Sequence, residues 1–515
     1  MLPRPLVILC LAALLFAQAL FPRVAAQEVE SFPWLAPSTS WEENVPPEVP
    51  AQFPNQFSHS TGPQSPTSPA EASGNFSPTG MTQLSLEEAS RRLAELEARL
   101  SALEKQRASA NTHQGPKDVS SERFTIRPSA VAQADYVNYP RQNDASLAAY
   151  GDLNDYFEFR RLFLGVEGTG YGVLDYRVIL NFEAQQIIRD QAGARLAETD
   201  LVQIRDVYLS HRDVPLLGTV FLGNLKVPYS MEEQTSDRFT SFMERAAPSD
   251  TFAPKRRVGI LVTDTSPSDA IGWSTGVFFA NISQETKERV HDCQGVDWGA
   301  RTWWCPVFVA DGRIVLHFGG SYVFTSDEDG LVRFGVRPET HEGPFALDTG
   351  TFLAQRVHRA GLEAAVVAGP ISVQGELYGV RTVAPPGGAD NQFYGAYVCA
   401  SYFLTGEHRP YERKRGVFNR LAPYTNFWWV KTKDGTSFGW GAWELAARWS
   451  WTDLDEPMLA SPLAGQMHNM TFALTWYWNP QVRMMFEWIH SFTSVRGQAD
   501  VPQTDILGVS WRADF

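Results

Sequence analysis

Residues 223–259, GNLKVPYSMEEQTSDRFTSFMERAAPSDTFAPKRRVG, hold the densest unusual chemistry in the chain. The stretch begins like a strand, breaks at Pro228 and becomes strand-like again at Val258. Within it stand Lys226, Arg238, Arg245, Arg256 and Arg257, interleaved with Glu232, Glu233 and Glu244. A guanidinium fork can hold a pair of oxyanion oxygens and stays charged at any physiological pH, so such a cluster suits anions. Each cation could equally pair with a nearby Glu and pin the segment in place, and the sequence leaves both readings open.

Acid–base catalysis fits poorly. Glu232 and Glu233 are adjacent, and adjacent extended residues point to opposite faces. His317, His341 and His358 have no ligand-like spacing, and no H-E-x-x-H, G-x-S-x-G or phosphate loop occurs. No catalytic residue, metal, cofactor or nucleic-acid partner is therefore expected. Cys293 and Cys305 flank Trp298, Trp303 and Trp304 in a loop-like stretch; after export they would close a small disulfide loop, with two free thiols as the alternative. Cys399 reads as a small apolar packing residue.

The elements that must position these residues are strands. From about Ser121 onward the hydrophobic period is 2: Leu174, Tyr176, Val178 and Leu180 oppose Asp175, Arg177, Ile179 and Asn181. Ile371, Val373 and Leu377 oppose Ser372, Gln374 and Glu376 after a Gly369-Pro370 turn. Trp443, Leu445, Ala447 and Trp449 oppose Glu444, Ala446, Arg448 and Ser450. Phe472, Leu474 and Trp476 oppose Thr471, Ala473 and Thr475, Asn479-Pro480 turns the chain, and Met484, Phe486 and Trp488 oppose Arg483, Met485 and Glu487. The last segment, Asp505 to Phe515, sets Leu507, Val509, Trp511, Ala513 and Phe515 against Gly508, Ser510, Arg512 and Asp514, the pattern of a strand closing an outer-membrane barrel.

Alternation alone also fits a soluble sandwich. Aromatics near strand ends, and Arg, Glu, Asn and Gln on the opposite face, favour a membrane barrel with a wet lumen. Short turns at Gly369-Pro370 and Asn479-Pro480 contrast with longer polar stretches at Arg381–Asn391 and Asp453–Asn469, which read as outer loops. At roughly 25 residues per strand and connection, residues 121–515 make about sixteen strands, enough for an aqueous channel.

Ahead of the strands, Arg4 and the apolar run Leu6 to Leu20, followed by Val24-Ala25-Ala26, form a signal peptide over 1–26. Residues 27–80 are a Pro/Ser-rich disordered tether. In 81–110, Leu86, Ala89, Leu93, Leu96, Leu100 and Leu103 mark the seam of a short α-helical coiled coil, with Ser85 and Glu88 as a capping box. Packing of that helix on the domain behind it is the alternative.

The order and spacing of several motifs resemble the phosphate-selective porin O and P family. They are G-x-x-K-x-P-[FY] at Gly223–Tyr229, E-x-x-T-S from Glu232, Phe242-Met243-Glu244-Arg245 and R-R-x-G from Arg256. Further matches lie at Tyr402 to Arg420, Val336 to Glu339 and Trp476 to Arg483, so the likeness covers 121–515. The resemblance implies a trimeric outer-membrane channel for small anions, with an inward constriction loop near 228–254. It carries Lys226 and Arg245 over as selectivity residues, with Arg238, Arg256 and Arg257 nearby, and Arg161 and Arg177 as members of a wall ladder.

Against strong anion attraction, residues 121–515 contain 36 Lys and Arg but 46 Asp and Glu. The expectation is an outer-membrane porin with a periplasmic N-terminal segment, in contact with lipid, passing small hydrophilic solutes such as phosphate. A barrel serving mainly as an anchor or adhesion platform, and an exported β-rich hydrolase, are the alternatives.

Overall fold

Alternating β-branched, aromatic and polar residues from Pro128 onward pair into strands whose two faces differ sharply. The structure, a computed structural model, describes residues 124–183, 187–189, 195–198, 202–279, 295–327, 330–432 and 435–515. The chain divides into two units between Gly115 and Pro116. The signal peptide, tether and coiled coil expected in the first unit lie outside the described residues.

Sixteen antiparallel strands close into one barrel, the number the chain length predicts. They are β1 (Arg127–Gln142), β2 (Tyr156–Gly170), β3 (Leu174–Asn181), β4 (Gln203–Val214), β5 (Gly218–Lys226), β6 (Arg256–Thr265), β7 (Ile271–Phe279) and β8 (Val296–Val309). The second half is β9 (Ile314–Ser326), β10 (Arg356–Ala368), β11 (Ile371–Val383), β12 (Asn391–Phe403), β13 (Ala442–Asp453), β14 (Gly465–Tyr477), β15 (Val482–Val495) and β16 (Gln503–Asp514). Each pairs with the barrel strands before and after it. The ring closes where β1 meets β16, from Val131 opposite Asp514 to Gln142 opposite Thr504. Beyond it, the Ala130 and Phe515 backbones exchange hydrogen bonds of 3.3 and 3.0 Å.

The faces are inverted relative to a water-soluble sheet. On β14, Met470 and Phe472 are 46% and 48% exposed while Asn469 and Thr471 are 0% exposed. Trp488 of β15 and Trp511 of β16 are likewise exposed, and their neighbours Glu487 and Arg512 are buried. Polar side chains fill the inside and apolar ones coat the outside, which is stable only where the outside is hydrocarbon.

Short turns at 171–173, 215–217, 266–270, 310–313, 369–370 and 478–481 gather at one end, where the chain also finishes. Gly369 adopts φ 59°, the left-handed conformation its two-residue turn needs. The other end carries 143–155, which contains helix α1 (Asp144–Tyr150), together with 227–255, 327–355, 384–390, 454–464 and 496–502. Arg381–Asn391 and Asp453–Asn469 are shorter loops than expected. Arg381 pairs opposite Gln392, and Gln466 opposite Asp453, so polar rim residues that read as loop remain in the ladder. One connection breaks the asymmetry: residues 404–441 form a long segment at the short-turn end.

Leu362 lies in the middle of β10 and is 63% exposed. Replacing it by Arg is expected to destabilise the lipid-embedded barrel by about 2–4 kcal/mol, the cost of a cation near the bilayer midplane. Equilibrium unfolding of Leu362→Arg in phospholipid vesicles checks this; a soluble sandwich would register almost nothing at such an exposed site.

Candidate functional site

Residues 227–255, between β5 and β6, cross the barrel interior. Pro228 stops the strand, and Ser230 at φ 62° starts helix α2 (Met231–Gln234), its hydroxyl accepting from the Glu233 N–H at 3.2 Å. A 3₁₀ turn (Asp237–Phe239) and helix α3 (Ala247–Phe252) follow. Tyr229, Met231 and Phe252 are fully buried, and the Tyr229 hydroxyl donates to the Ala360 carbonyl of β10 at 3.2 Å.

Charged wall residues bind this loop, mostly through its backbone. The Glu376 carboxylate on β11 accepts from the N–H groups of Met231 and Glu232 at 3.1 and 2.7 Å. Glu487 on β15 accepts from the Met243 N–H, and Glu444 on β13 accepts from the Ser241 hydroxyl at 2.8 Å. Wall arginines take the carbonyls: Arg483 donates to Thr240 at 2.8 Å, Arg448 to Glu244 at 3.0 Å, and Arg512 to Asp237. A loop without regular pairing thus has many of its backbone groups satisfied by side chains of the opposite wall.

Among the described residues, segments 327–355 and 404–441 also enter the lumen. From 327–355, Glu339 accepts from Arg448 and from the Ser450 hydroxyl, both at 2.6 Å, and from Thr471 at 2.5 Å. From 404–441, at the opposite end, Arg409 donates to Gln374 at 3.0 Å. Arg301 on β8 donates to the carbonyls of Arg415 and Gly416 at 3.0 and 2.6 Å, and pairs with Glu363 at 2.7 Å. The charged run Glu407 to Arg415 is partly internal, with Glu407 and Arg409 buried.

The sequence-predicted cations separate into two groups. Lys226, Arg238 and Arg256 line an internal cavity of about 500 Å³. Lys226 also donates to the Glu233 and Thr235 carbonyls, Arg238 to the Ser129 hydroxyl at 2.8 Å, and Arg256 to Asp206 at 2.7 and 3.3 Å. Arg245 and Arg257 are not in the lining. Arg245 is 3.3 Å from Glu233 and donates to the Glu232 and Thr235 carbonyls at 3.2 and 3.3 Å. Arg257 donates to the Arg256 carbonyl at 3.1 Å and lies 3.8 Å from Asp297. Arg161 is equally structural, held by Gln133, Asp237 and Glu244 at 2.7, 3.1 and 3.1 Å.

Arg205 and Arg212 of β4, Arg177 of β3, Arg301 of β8, and Lys414 and Arg415 of the 404–441 segment complete the basic lining. Asp175, Asp206, Asp237 and Glu412 are its acids, so among the described residues nine basic side chains face four acidic ones. The Arg205 guanidinium lies 4.0 Å from the Phe163 ring centroid and 2.5 Å from Asp237. Sequence reasoning missed Arg205, Arg212, Lys414 and Arg415 because they are separated by about half the barrel's length in sequence; only the period-2 position of Arg205, opposite Ile204 on its strand, marked it as inward-facing.

The cysteine expectation is half visible. Cys305 is a buried free thiol that donates to the Val307 carbonyl at 3.3 Å, while Cys293 lies outside the described residues. Cys399 is buried in β12.

Burial raises the Glu233 carboxyl, but the charges of Arg245 and Lys226 outweigh it and hold it below its ordinary value of 4.5. Burial of Asp237 is likewise outweighed, by Arg205 and Arg161, leaving it well below 3.8. Both folded values are depressed, so their stabilisation is full above the ordinary carboxylate range and is lost as the pH falls through the folded values.

A family model described as phosphate-selective porin O and P matches residues 131–515. An uncharacterized protein of Caulobacter vibrioides is 28% identical over 330 residues, covering 62% of this chain and 59% of the relative, so the chain spans less than two thirds of that protein's length. Porin O of Pseudomonas aeruginosa is 22% identical over 402 residues, covering 72% of this chain and 83% of that protein. Among solved structures, in-vitro-folded OmpT of Vibrio cholerae, in a trimer form, matches with a TM-score of 0.45 and 11% identity, covering 76% of this chain and 100% of the other.

Arg245→Met leaves Glu233 buried without its closest ion-pair partner and is expected to destabilise the inward loop by about 3–5 kcal/mol. Limited proteolysis of 227–255 in the folded barrel reads that loss. For the wild type, conductance noise from loop motion should stay low at neutral pH and rise only when the pH falls below about 4.

Proposed function

The chain belongs to the phosphate-selective porin O and P family, and on that premise we propose that its barrel passes small hydrophilic anions, phosphate among them, by passive diffusion. The observation that carries this reading is the charge of the cavity. The chain from Ser121 onward is net acidic, yet the lining of the narrowed lumen has, among the described residues, five more basic than acidic side chains. The acids are spent largely elsewhere: Glu376 and Glu487 bind loop backbone, Glu444 binds the Ser241 hydroxyl of the loop, and Glu339 and Glu363 pair with wall arginines. The field a solute meets is set by side chains at the cavity surface, not by the total.

Lys226, Arg238 and Arg256 act here as selectivity residues, joined by Arg205, Lys414 and Arg415. Most are held in one geometry by an acid or a carbonyl, which leaves part of each fork or ammonium for a passing anion. Partial pairing also keeps binding weak enough for release, which conduction needs. Arg245 and Arg257 position the loop and wall. We further infer a homotrimer, as the family likeness implies, and a periplasmic tether and coiled coil that gather its three chains.

Planar-bilayer recording under a salt gradient tests selectivity in chloride and then in phosphate. The wild type should show an anion-selective reversal potential. Lys226→Glu combined with Lys414→Glu and Arg415→Glu should lower the anion-to-cation permeability ratio roughly threefold or more, as follows from moving the local potential by about one kT. An unchanged ratio would show that these cations only hold structure. Insertions that conduct in groups of three equal steps would support the trimer.

A further inference from the structure

The connection 404–441 does two different things at the short-turn end. Its first part enters the lumen, as Tyr411 and Phe418 show by their burial. Its second part turns outward. Phe427 packs edge-on against Trp476 with ring centroids 4.4 Å apart and against Trp478 at 5.5 Å. The Trp476 indole N–H donates to the Trp440 carbonyl at 2.8 Å. Trp476 belongs to the outward-facing row of β14 and stacks on Trp443 of β13 at 4.9 Å. Both ends of the outward part are therefore fastened to the outer wall at its rim.

Between those fastenings an antiparallel ribbon forms, Trp428–Thr432 paired with Gly435–Gly439. Trp428, Trp429, Phe438 and Trp440 are 55%, 64%, 46% and 66% exposed. They form one connected array: Trp428 and Trp429 lie 5.9 and 6.2 Å from Phe438, which lies 5.3 Å from Trp440. In water such a patch is costly. A two-stranded ribbon is also only marginally stable alone, so this one needs a surface to lie on.

We propose that residues 427–432 and 435–440 form an interfacial anchor whose occupant is phospholipid of the periplasmic leaflet. The array continues the row of apolar side chains that coats the barrel, at the rim where tryptophan favours the boundary between headgroups and acyl chains. Amphipathic indoles suit that zone, with rings toward hydrocarbon and N–H groups toward ester oxygens and water. The proposal rests on the barrel standing in a bilayer and is independent of what the lumen passes. Its consequence is mechanical. A segment that narrows the lumen at one end is tethered, a few residues later, to the lipid surface.

The test introduces p-benzoylphenylalanine at Trp429 and, separately, at Trp440 in the full chain, with Phe472 in the outer face of β14 as the bilayer reference. After irradiation in cells and purification, intact-mass measurement should show the addition of one phospholipid at all three sites. Adducts to a second copy or to another protein at 429 and 440, or no adduct there while 472 carries lipid, would overturn the anchor and leave the barrel reading standing. Absence of lipid at 472 would remove the bilayer premise and the anchor with it. A second readout uses vesicles whose lipids are brominated near the headgroup. If the ribbon lies in lipid, Trp429→Ser/Trp440→Ser should lower the fraction of tryptophan emission that is quenched; if it lies in water, that fraction should rise.

Discussion

A chain that crosses hydrocarbon must satisfy every backbone N–H and C=O within its own fold, and here the pairing of β1 with β16 completes that condition. Without it the barrel would expose two strand edges to lipid. Once the ring is closed, the period of 2 gives each strand one face to lipid and one to the interior, and the two faces need opposite chemistry. The interior is too wide to be filled by wall side chains alone, so polar groups there must find partners on segments that enter the lumen.

The inward loops and the wall charges are thus one system. Glu376 and Glu487 bind N–H groups, Glu444 binds the Ser241 hydroxyl, and Arg448, Arg483 and Arg512 bind carbonyls, on a loop that has little secondary structure of its own. Burying these charges is tolerable because each is matched by a polar group of opposite character. The same arrangement keeps several carboxylates out of the cavity lining. An acidic chain can therefore surround a basic cavity without contradiction.

Much of the fold was legible in the sequence because a membrane wall enforces alternation strictly. Trp511 against Arg512, and Phe472 against Thr471, took the faces their period assigned. The inward course of 228–254 came only from the family resemblance, whereas the break in the strand at Pro228 was legible from the loss of periodicity. The lumen ends of 327–355 and 404–441 were not, since their contacts, such as Glu339 with Arg448 or Arg415 with Arg301, join residues about a hundred positions apart. Charge type could not separate Arg256, which lines the cavity, from Arg245, which is turned into the loop; only the position of Glu233 decides that.

The cavity is lined by strands from β2 to β8 together with inward segments, whereas the wall from β10 to β16 is covered by the crossing loop. The open space is therefore eccentric, set against one side of the tube. What space remains is set by the insert far more than by the girth of the sixteen-stranded wall. Related tubes of identical circumference can then admit very different molecules, and lengthening or trimming the insert changes the cutoff while the membrane-facing exterior stays as it is.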